Sequence, residues 1–373
     1  MKLCFLADVR SIHTKRWVEY FAKEHEIDLI TLNYPKKEFN PEEIYKKMNV
    51  RVHKISKKMP FLLFAPFKIR RLIKKIKPDL VHAHYVTQYG FCGAFSGFHP
   101  FVVSAWGSDV LVDPDKSRIF KFMVKFALKR ADLITCNGEN LKETMIKMGK
   151  NSQKIKIIYH GVDTKEFNPS QKDEKIRDEL KIFNSPMVIS TRGLEPIYDV
   201  ESLVRAVPLV LKLVPDAKFI IANNGSQEAH LKEMAKSLDI WNNIRFVGLI
   251  QHDELPKYFA SSDVYVSTSL SDGGAVVSTL EAMACGLTSV VTNSGDHRKW
   301  IRNGENGFVV PTKNPEVLAE KIIYLLKNEV LRMKFGRINR NIVKEKADYY
   351  TEMEKMEKFY EKITKNNKMI RED

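Results

Sequence analysis

No uncharged apolar run in the 373 residues reaches the ~18 positions that a membrane span requires. The nearest stretch, 89–106, is broken by Gly90, Gly93, Gly97, His99 and Pro100. The N-terminal MKLCFLADV meets an Asp too early to form the apolar core of a signal peptide, and it reads as a buried first strand. Cysteine is scarce. Cys4, Cys92, Cys136 and Cys285 are scattered, with no CxxC pair and no disulfide-like spacing, which suits a reduced, cytosolic protein. With 15 Pro and 17 Gly against 44% hydrophobic residues, a disordered, collagen-like or low-complexity chain is excluded. At roughly 150 residues per domain the length predicts two domains, each able to bury its own core.

Charge is abundant and of one dominant sign. Lys and Arg number 61 against 46 Asp and Glu, a net +15 that favours anionic partners. The densest basic stretch runs from Lys54 to Lys77. Within it Ile69, Leu72, Ile73 and Ile76 recur at helical spacing between Lys68, Arg70, Arg71, Lys74 and Lys75, so 69–77 reads as an amphipathic helix with a basic outer face. The apolar segment 59–67 before it either packs on the core or dips into a lipid headgroup layer. A peripheral contact with an anionic membrane, at its inner surface, is therefore one expected partner. Nucleic acid is not expected, because the basic stretch lacks interleaved aromatics and no reading module is present.

Short apolar runs alternate with helical patterns throughout. Strands are predicted at 2–7, 27–32, 79–82, 101–104, 132–135 and 156–159, with helices at 17–23 and 69–77. After a polar stretch near 160–185 the alternation restarts. Strands follow at 187–190, 218–222, 244–247, 264–267 and 289–292, and helices at 200–213, 228–237, 254–260, 278–285 and 316–327. Strands separated by helices imply a parallel sheet covered on both faces. The expected architecture is α/β, with two Rossmann-like doubly wound domains at 1–168 and 187–344 and a linker at 169–186. From 345 onward Tyr349, Met353, Met356, Tyr360 and Ile363 mark a final amphipathic helix that needs a partner surface. In such sheets ligands sit at the carboxyl ends of strands, so the loops there are where chemistry is sought.

The obvious nucleotide motifs are missing. No GxGxxG follows the first strand, and no GxxxxGK[ST] occurs anywhere. What does occur is SLSDGGAVVSTLEAMACGLTSVV at 269–291: a strand end, a small-residue loop containing Gly273 and Gly274, and a helix start bearing Ser278 and Thr279. Free backbone N–H groups and the helix dipole at such a start suit a phosphate. Glu281, within the helix's first turns, can accept hydrogen bonds from ribose hydroxyls. Together with GVDTKEFNP at 161–169, LEPIY at 194–198, VGLI at 247–250 and NGENGFVV at 303–310, this segment resembles the family 4 glycosyltransferases over nearly the whole chain.

The resemblance implies a GT-B fold, with the two domains facing across a cleft and the last helix crossing back to the first. It implies a nucleotide-diphosphate-sugar donor held mostly by the second domain, Leu249 among its contacts, and an acceptor held mostly by the first. It further implies transfer with retention at the anomeric carbon and no bound metal or other cofactor. By the same resemblance Glu281 matches the second acidic residue of the family's E-x7-E motif, which holds the donor ribose. The first, which contacts the donor sugar, falls on Gly273; the only acid nearby is Asp272, one residue earlier. A second departure affects the diphosphate. Where the family commonly reads GRLxPxKG, this chain aligns Gly193 and Tyr198 with the Arg and Lys, and Arg192 is shifted by one. Arg192 has the reach and the planar fork to serve phosphate, and Tyr198 donates one hydrogen bond without charge. Arg298 and Lys299 are further candidate cations.

In the first domain SAWGSDV at 104–110 stands where relatives carry a His-Gly-x-Asp segment, with Trp106 in place of the His. An indole stacks on a sugar face and donates one N–H but exchanges no proton near neutral pH. His84 is a polar substitute; alternatively His82 and His84 are strand-end residues that satisfy backbone groups. A metal site is not expected from this pair, since no third ligand is evident. Asp109 either binds hydroxyls or caps the following turn. His13 and Lys15, after the first strand, are acceptor-side or phosphate candidates. The expected activity is sugar transfer to a hydroxyl of a glycan or lipid-linked acceptor. A degenerate member that only binds nucleotide sugars is the alternative, and a basic nucleic-acid-binding protein the weaker one.

Overall fold

The computed structural model describes residues 1–32, 41–55 and 61–372. The expected apolar segment 59–67 therefore lies partly outside the described residues. The chain divides into two compact units, Met1–His160 with Thr351–Asp373, and Gly161–Tyr350.

The first unit is built on seven strands: β1 (Lys2–Leu6), β2 (Glu26–Thr31), β3 (Arg51–Lys54), β4 (Leu80–His84), β5 (Phe101–Ala105), β6 (Leu133–Cys136) and β7 (Ile155–Ile157). All pair in parallel, in the order β3-β2-β1-β4-β5-β6-β7. Strands β4 and β5 are buried at every position because helices cover both faces of the sheet. Helix Ile12–Phe21 contributes Trp17, Val18 and Phe21 to that cover. Helix Phe61–Ile76 contributes Ala65, Ile69, Ile73 and Ile76, four positions one helical turn apart. Strand β3 has no apolar run and escapes a pattern search; its Arg51 is tied to Asp28 and Glu26 of β2.

The amphipathic tail, helix Tyr349–Glu372, buries Met353, Met356 and Tyr360 completely. Tyr360 makes a 2.5 Å hydrogen bond with Nδ1 of His82. The His82 Nε2 bonds Ser104 Oγ at 2.7 Å, and Ser104 bonds Thr135 Oγ1 at 2.5 Å, so one buried polar chain crosses β4, β5 and β6. Burial holds His82 neutral, its pKa pushed down to about 3. Its two nitrogens thus serve side chains, not the backbone groups expected of a strand-end histidine.

The second unit has six parallel strands: β8 (Met187–Ser190), β9 (Lys218–Ala222), β10 (Ile244–Gly248), β11 (Val264–Ser267), β12 (Thr288–Thr292) and β13 (Gly307–Val310), ordered β10-β9-β8-β11-β12-β13. Helix Val200–Leu211 and helix Pro315–Leu326 supply Leu203, Val207, Leu318 and Ile322 to the core. Residues 169–186, read from composition as a linker, are packed into this unit: Arg177 pairs with Asp263 at 3.0 Å and Asp173 N–H donates to Ser261 Oγ. Helix Glu329–Lys346 approaches so closely that a Cβ on Gly336 would lie 2.0 Å from the Gly286 carbonyl oxygen. Arg340 on the same helix donates to the carbonyl of Ala284, the last residue of helix Val277–Ala284, at 2.6 Å.

Candidate functional site

In both sheets the strand order reverses direction beside the first strand of the unit, between β1 and β4 and between β8 and β11. Loops leaving the carboxyl ends of such neighbours diverge and open a crevice. The loop after β8 carries Arg192, and the loop after β11 carries Ser269, Asp272, Gly273 and Gly274 before helix Val277–Ala284 begins.

Arg192 organises this crevice. Its Nε donates to Ser269 Oγ at 3.0 Å, one terminal nitrogen donates to Ser278 Oγ at 3.2 Å, and the other to Asp272 Oδ1 at 2.5 Å. The guanidinium carbon lies 4.4 Å from the centroid of the Tyr198 ring. Burial opposes the charge, but Asp272, with Tyr265 and Tyr198 nearby, outweighs it and the Arg192 pKa is raised. A guanidinium has five N–H bonds, so these three contacts leave one on each terminal nitrogen uncommitted. Tyr198 supports the cation with its ring. Gly193 leaves room for it: a Cβ there would meet the Tyr198 ring at 3.0 Å.

The structure changes the reading of Asp272. Its Oδ1 holds Arg192 and its Oδ2 accepts from Ser294 at 3.2 Å. The carboxylate expected to contact a sugar is instead occupied in orienting a guanidinium. Ser278 bonds Tyr265 at 2.8 Å and sits on the first turn of its helix, as the sequence suggested. Thr279 does not face a ligand. It is 1% exposed and bonds Nε2 of His297 at 3.1 Å, while Nδ1 of that ring donates to the Thr292 carbonyl. Burial depresses the His297 pKa to about 4, so the ring stays neutral and pins the helix start to β12. Gly274, at φ +73°, accepts from the Asp296 N–H at 3.1 Å, a left-handed turn that favours glycine. Arg298 and Lys299 are exposed on the turn after β12, Arg298 bonding Asn293.

Glu281 is 4% exposed, and its Oε1 meets Nε2 of His252 at 2.9 Å. His252 comes from the loop after β10, the loop on which Leu249 stands 59% exposed. His252 had no signal in the sequence, lying 29 residues from its partner in a polar loop.

A second constellation gathers in the first unit. His13, on helix Ile12–Phe21, stacks on His160 with centroids 4.1 Å apart, and the Trp106 ring stands edge-on to both. His84 lies 5.0 Å from the Trp106 ring and 5.0 Å from Trp17. His13, His84 and Trp106, singled out separately, are thus brought together, and Trp17 and His160 join them from the predicted helix at 17–23 and the polar stretch near 160–185. His84 is not available as an acid or base: it is 1% exposed, and burial, with His82 and His13 nearby, holds its pKa well below the usual imidazole value. Neither of its nitrogens bonds a backbone group, contrary to the strand-end alternative. Asp109 is fully buried and accepts from the N–H groups of Val86, Trp106 and Gly107, which assigns it to holding the loop after β5. Lys15 lies in the first turns of the same helix as His13. Among the described residues, no group of three His, Cys, Asp or Glu is placed to hold a metal ion.

The second-unit crevice gathers a guanidinium and a helix N-terminus, chemistry that suits an anion, and the same helix carries Glu281. Known proteins resemble the chain over both units. Residues 2–138 match the family model described as glycosyl transferase 4-like, and residues 171–342 match glycosyl transferases group 1. An uncharacterized glycosyltransferase of Methanocaldococcus jannaschii is 29% identical over 330 residues, 83% of each chain. The N-acetyl-alpha-D-glucosaminyl L-malate synthase of Bacillus anthracis is 22% identical over 355 residues, 92% of this chain and 91% of that one. Among solved structures, Anabaena HepE in complex with UDP has a TM-score of 0.82 at 19% identity, covering 97% of this chain and 100% of that chain, a likeness of fold.

Proposed function

Because the chain belongs to the group 1 glycosyltransferases of the family 4 type, we propose that it transfers a sugar, with retention, from a nucleotide-diphosphate donor to an acceptor hydroxyl. The observation that carries this reading is Arg192, anchored by Asp272, Ser269 and Ser278 over the Tyr198 ring with two N–H groups to spare. Those groups and the N-terminus of helix Val277–Ala284 meet the charge that develops on the diphosphate as it departs. Glu281, steadied by His252, accepts from the donor ribose hydroxyls.

In this reading the bond between the anomeric carbon and the diphosphate oxygen breaks. A bond to the acceptor oxygen forms on the same face, and the acceptor's proton passes to the departing phosphate. No side-chain nucleophile is required, so positioning and charge stabilisation supply the acceleration. His13, Trp106 and Lys15 serve the acceptor side, and the acceptor is a glycan or a lipid-linked sugar.

The test is a thermal-shift panel of UDP, GDP, ADP and CMP at fixed salt, followed by donor-hydrolysis and transfer assays with and without a chelator. A nucleotide at about 100 times its dissociation constant stabilises by roughly 2.7 kcal/mol, a visible shift. One diphosphate should respond selectively, and its sugar donor should turn over in the chelator. Silence toward every nucleotide would reduce the protein to a family member without a donor site.

A further inference from the structure

Three helices of the first unit pack in succession, Phe61–Ile76 on Phe91–Ser96 and that on Arg118–Arg130. The first carries five Lys or Arg and the third another five, and none of the three carries an Asp or Glu. In a chain with 46 acids, such a stretch is a concentrated cationic face.

That face is also aromatic. Phe67 meets Phe95 with centroids 4.8 Å apart, Phe95 meets Phe91 at 6.3 Å, and Phe91 meets Phe122 at 6.3 Å. The rings form a ribbon across all three helices. Its ends are open to solvent: Phe67 is 60% exposed and Phe122 58% exposed, with Phe64 at 54% and Ile119 at 71% beside them. Single exposed hydrophobics are ordinary, but a connected row of them marks an interaction surface. Core packing does not explain the row. Helix Phe61–Ile76 turns Ala65, Ile69 and Ile73 to the core, and helix Arg118–Arg130 turns Val124, Ala127 and Leu128. The exposed phenylalanines are an additional apolar stripe.

The cations follow the same stripe. Helical spacing sets Arg71 and Lys74 one and two turns from Phe67, and Arg118 and Lys125 about one turn to either side of Phe122. All four are exposed. An apolar ridge bordered by long basic side chains, with no acid among them, complements one chemistry. Rings enter the acyl boundary of a leaflet while the Lys and Arg heads remain at its phosphates. We propose that this three-helix face docks the protein on an anionic lipid surface. The proposal goes beyond the donor-site reading and stands independently of it.

The test is flotation of the full-length protein with vesicles of phosphatidylcholine alone and of phosphatidylcholine with one third phosphatidylglycerol. Binding is expected to the anionic vesicles only, weakening as salt rises. Each Lys or Arg near such a surface contributes about fivefold in affinity, so Lys121→Glu with Lys125→Glu should cut binding by at least ~25-fold. Phe67→Ser and Phe122→Ser should each cut it by about tenfold. Because these side chains are exposed, the melting midpoint and the nucleotide-induced shift should stay unchanged, which separates failure of docking from failure of the donor site. The charge variants provide the test if a phenylalanine variant folds poorly. Three results would overturn the proposal: no flotation, equal flotation with neutral vesicles, or wild-type self-association without lipid that Phe122→Ser abolishes.

Discussion

The guanidinium of Arg192 sits 4.4 Å over the ring of Tyr198. Its nitrogens meanwhile reach Ser269, Ser278 and Asp272. One cation is thus held between a ring face and a carboxylate.

That arrangement separates the ring of Tyr198 from its hydroxyl. Tyr198→Phe keeps the platform and should leave the transfer rate near wild type. Tyr198→Ala removes a partly desolvated cation–π contact and should lower kcat about 30-fold. Arg192→Lys keeps the charge but loses the fork, with an expected loss of about 10² in kcat. Initial rates of transfer decide the matter; equal damage from Phe and Ala at 198 would assign the role to the hydroxyl instead.

The Glu281–His252 pair makes a prediction about the donor's ribose. Wild-type protein should bind the ribonucleoside diphosphate at least tenfold more tightly than its 2′,3′-dideoxy form, since a buried carboxylate left without its hydroxyl donors is costly. Glu281→Ala should weaken the first and leave the second nearly unchanged. Calorimetric titration of the four combinations checks this, and a variant that still discriminates rules Glu281 out as the ribose contact.

Stability should fall as pH falls from 7.5 to 5. His82 and His297, buried and neutral, have folded pKa values of about 3 and about 4 against an unfolded value near 6.5. A depressed folded pKa means that the unfolded chain takes up the proton first. Stability is therefore complete above pH 6.5 and lost on acidification, by about 2 kcal/mol for each of the two at pH 5. Burial lowers His84 and His160 in the same direction. Asp109 opposes them. Burial raises its pKa to about 6, so it adds stability at low pH that is lost as pH rises through 6, returning about 1 kcal/mol at pH 5. Urea midpoints measured across this range should show the net loss; a flat profile would contradict the burial of these imidazoles.

Gly336→Ala should destabilise the second unit. The new Cβ would fall 2.0 Å from a backbone oxygen of Gly286, which cannot swing aside as a side chain can. Overpacking of this kind costs about 3 kcal/mol, which for a unit of this size lowers the Tm by about 6–12 °C. Calorimetry resolves such a change, and a shift below two degrees would mean that the helix slides to accommodate the methyl.

Much of the fold was legible because parallel strands buried on both faces announce themselves as apolar runs, as at Val188–Ile189 and Phe219–Ala222. Strand β3 was not, because its Arg-Val-His-Lys edge carries polar side chains that pair with Asp28 and Glu26. Residues 169–186 misled through composition: their polar side chains bind Ser261 and Asp263 instead of solvent. In the candidate site, Arg192 was visible as a residue type on a loop after a strand, and Glu281 as one on a helix that follows a small-residue loop. Their partners were not, because Asp272 lies 80 residues from Arg192 and His252 sits in a loop without pattern. Conversely, Thr279 and Asp109 look like ligand groups in one dimension and prove to be internal struts in three.

The first unit is discontinuous in the chain, and this has a consequence for biosynthesis. Its final helix, with Tyr360 on His82 and Glu357 on His25, is translated only after all of Gly161–Tyr350. At ~5–20 residues per second the ribosome needs about 10–40 seconds to make that intervening unit. Throughout that interval the nascent first unit lacks the helix that covers Phe21 and His82. The second unit, contiguous in sequence, completes first, and a premature stop near residue 350 damages the end of the protein that was made earliest.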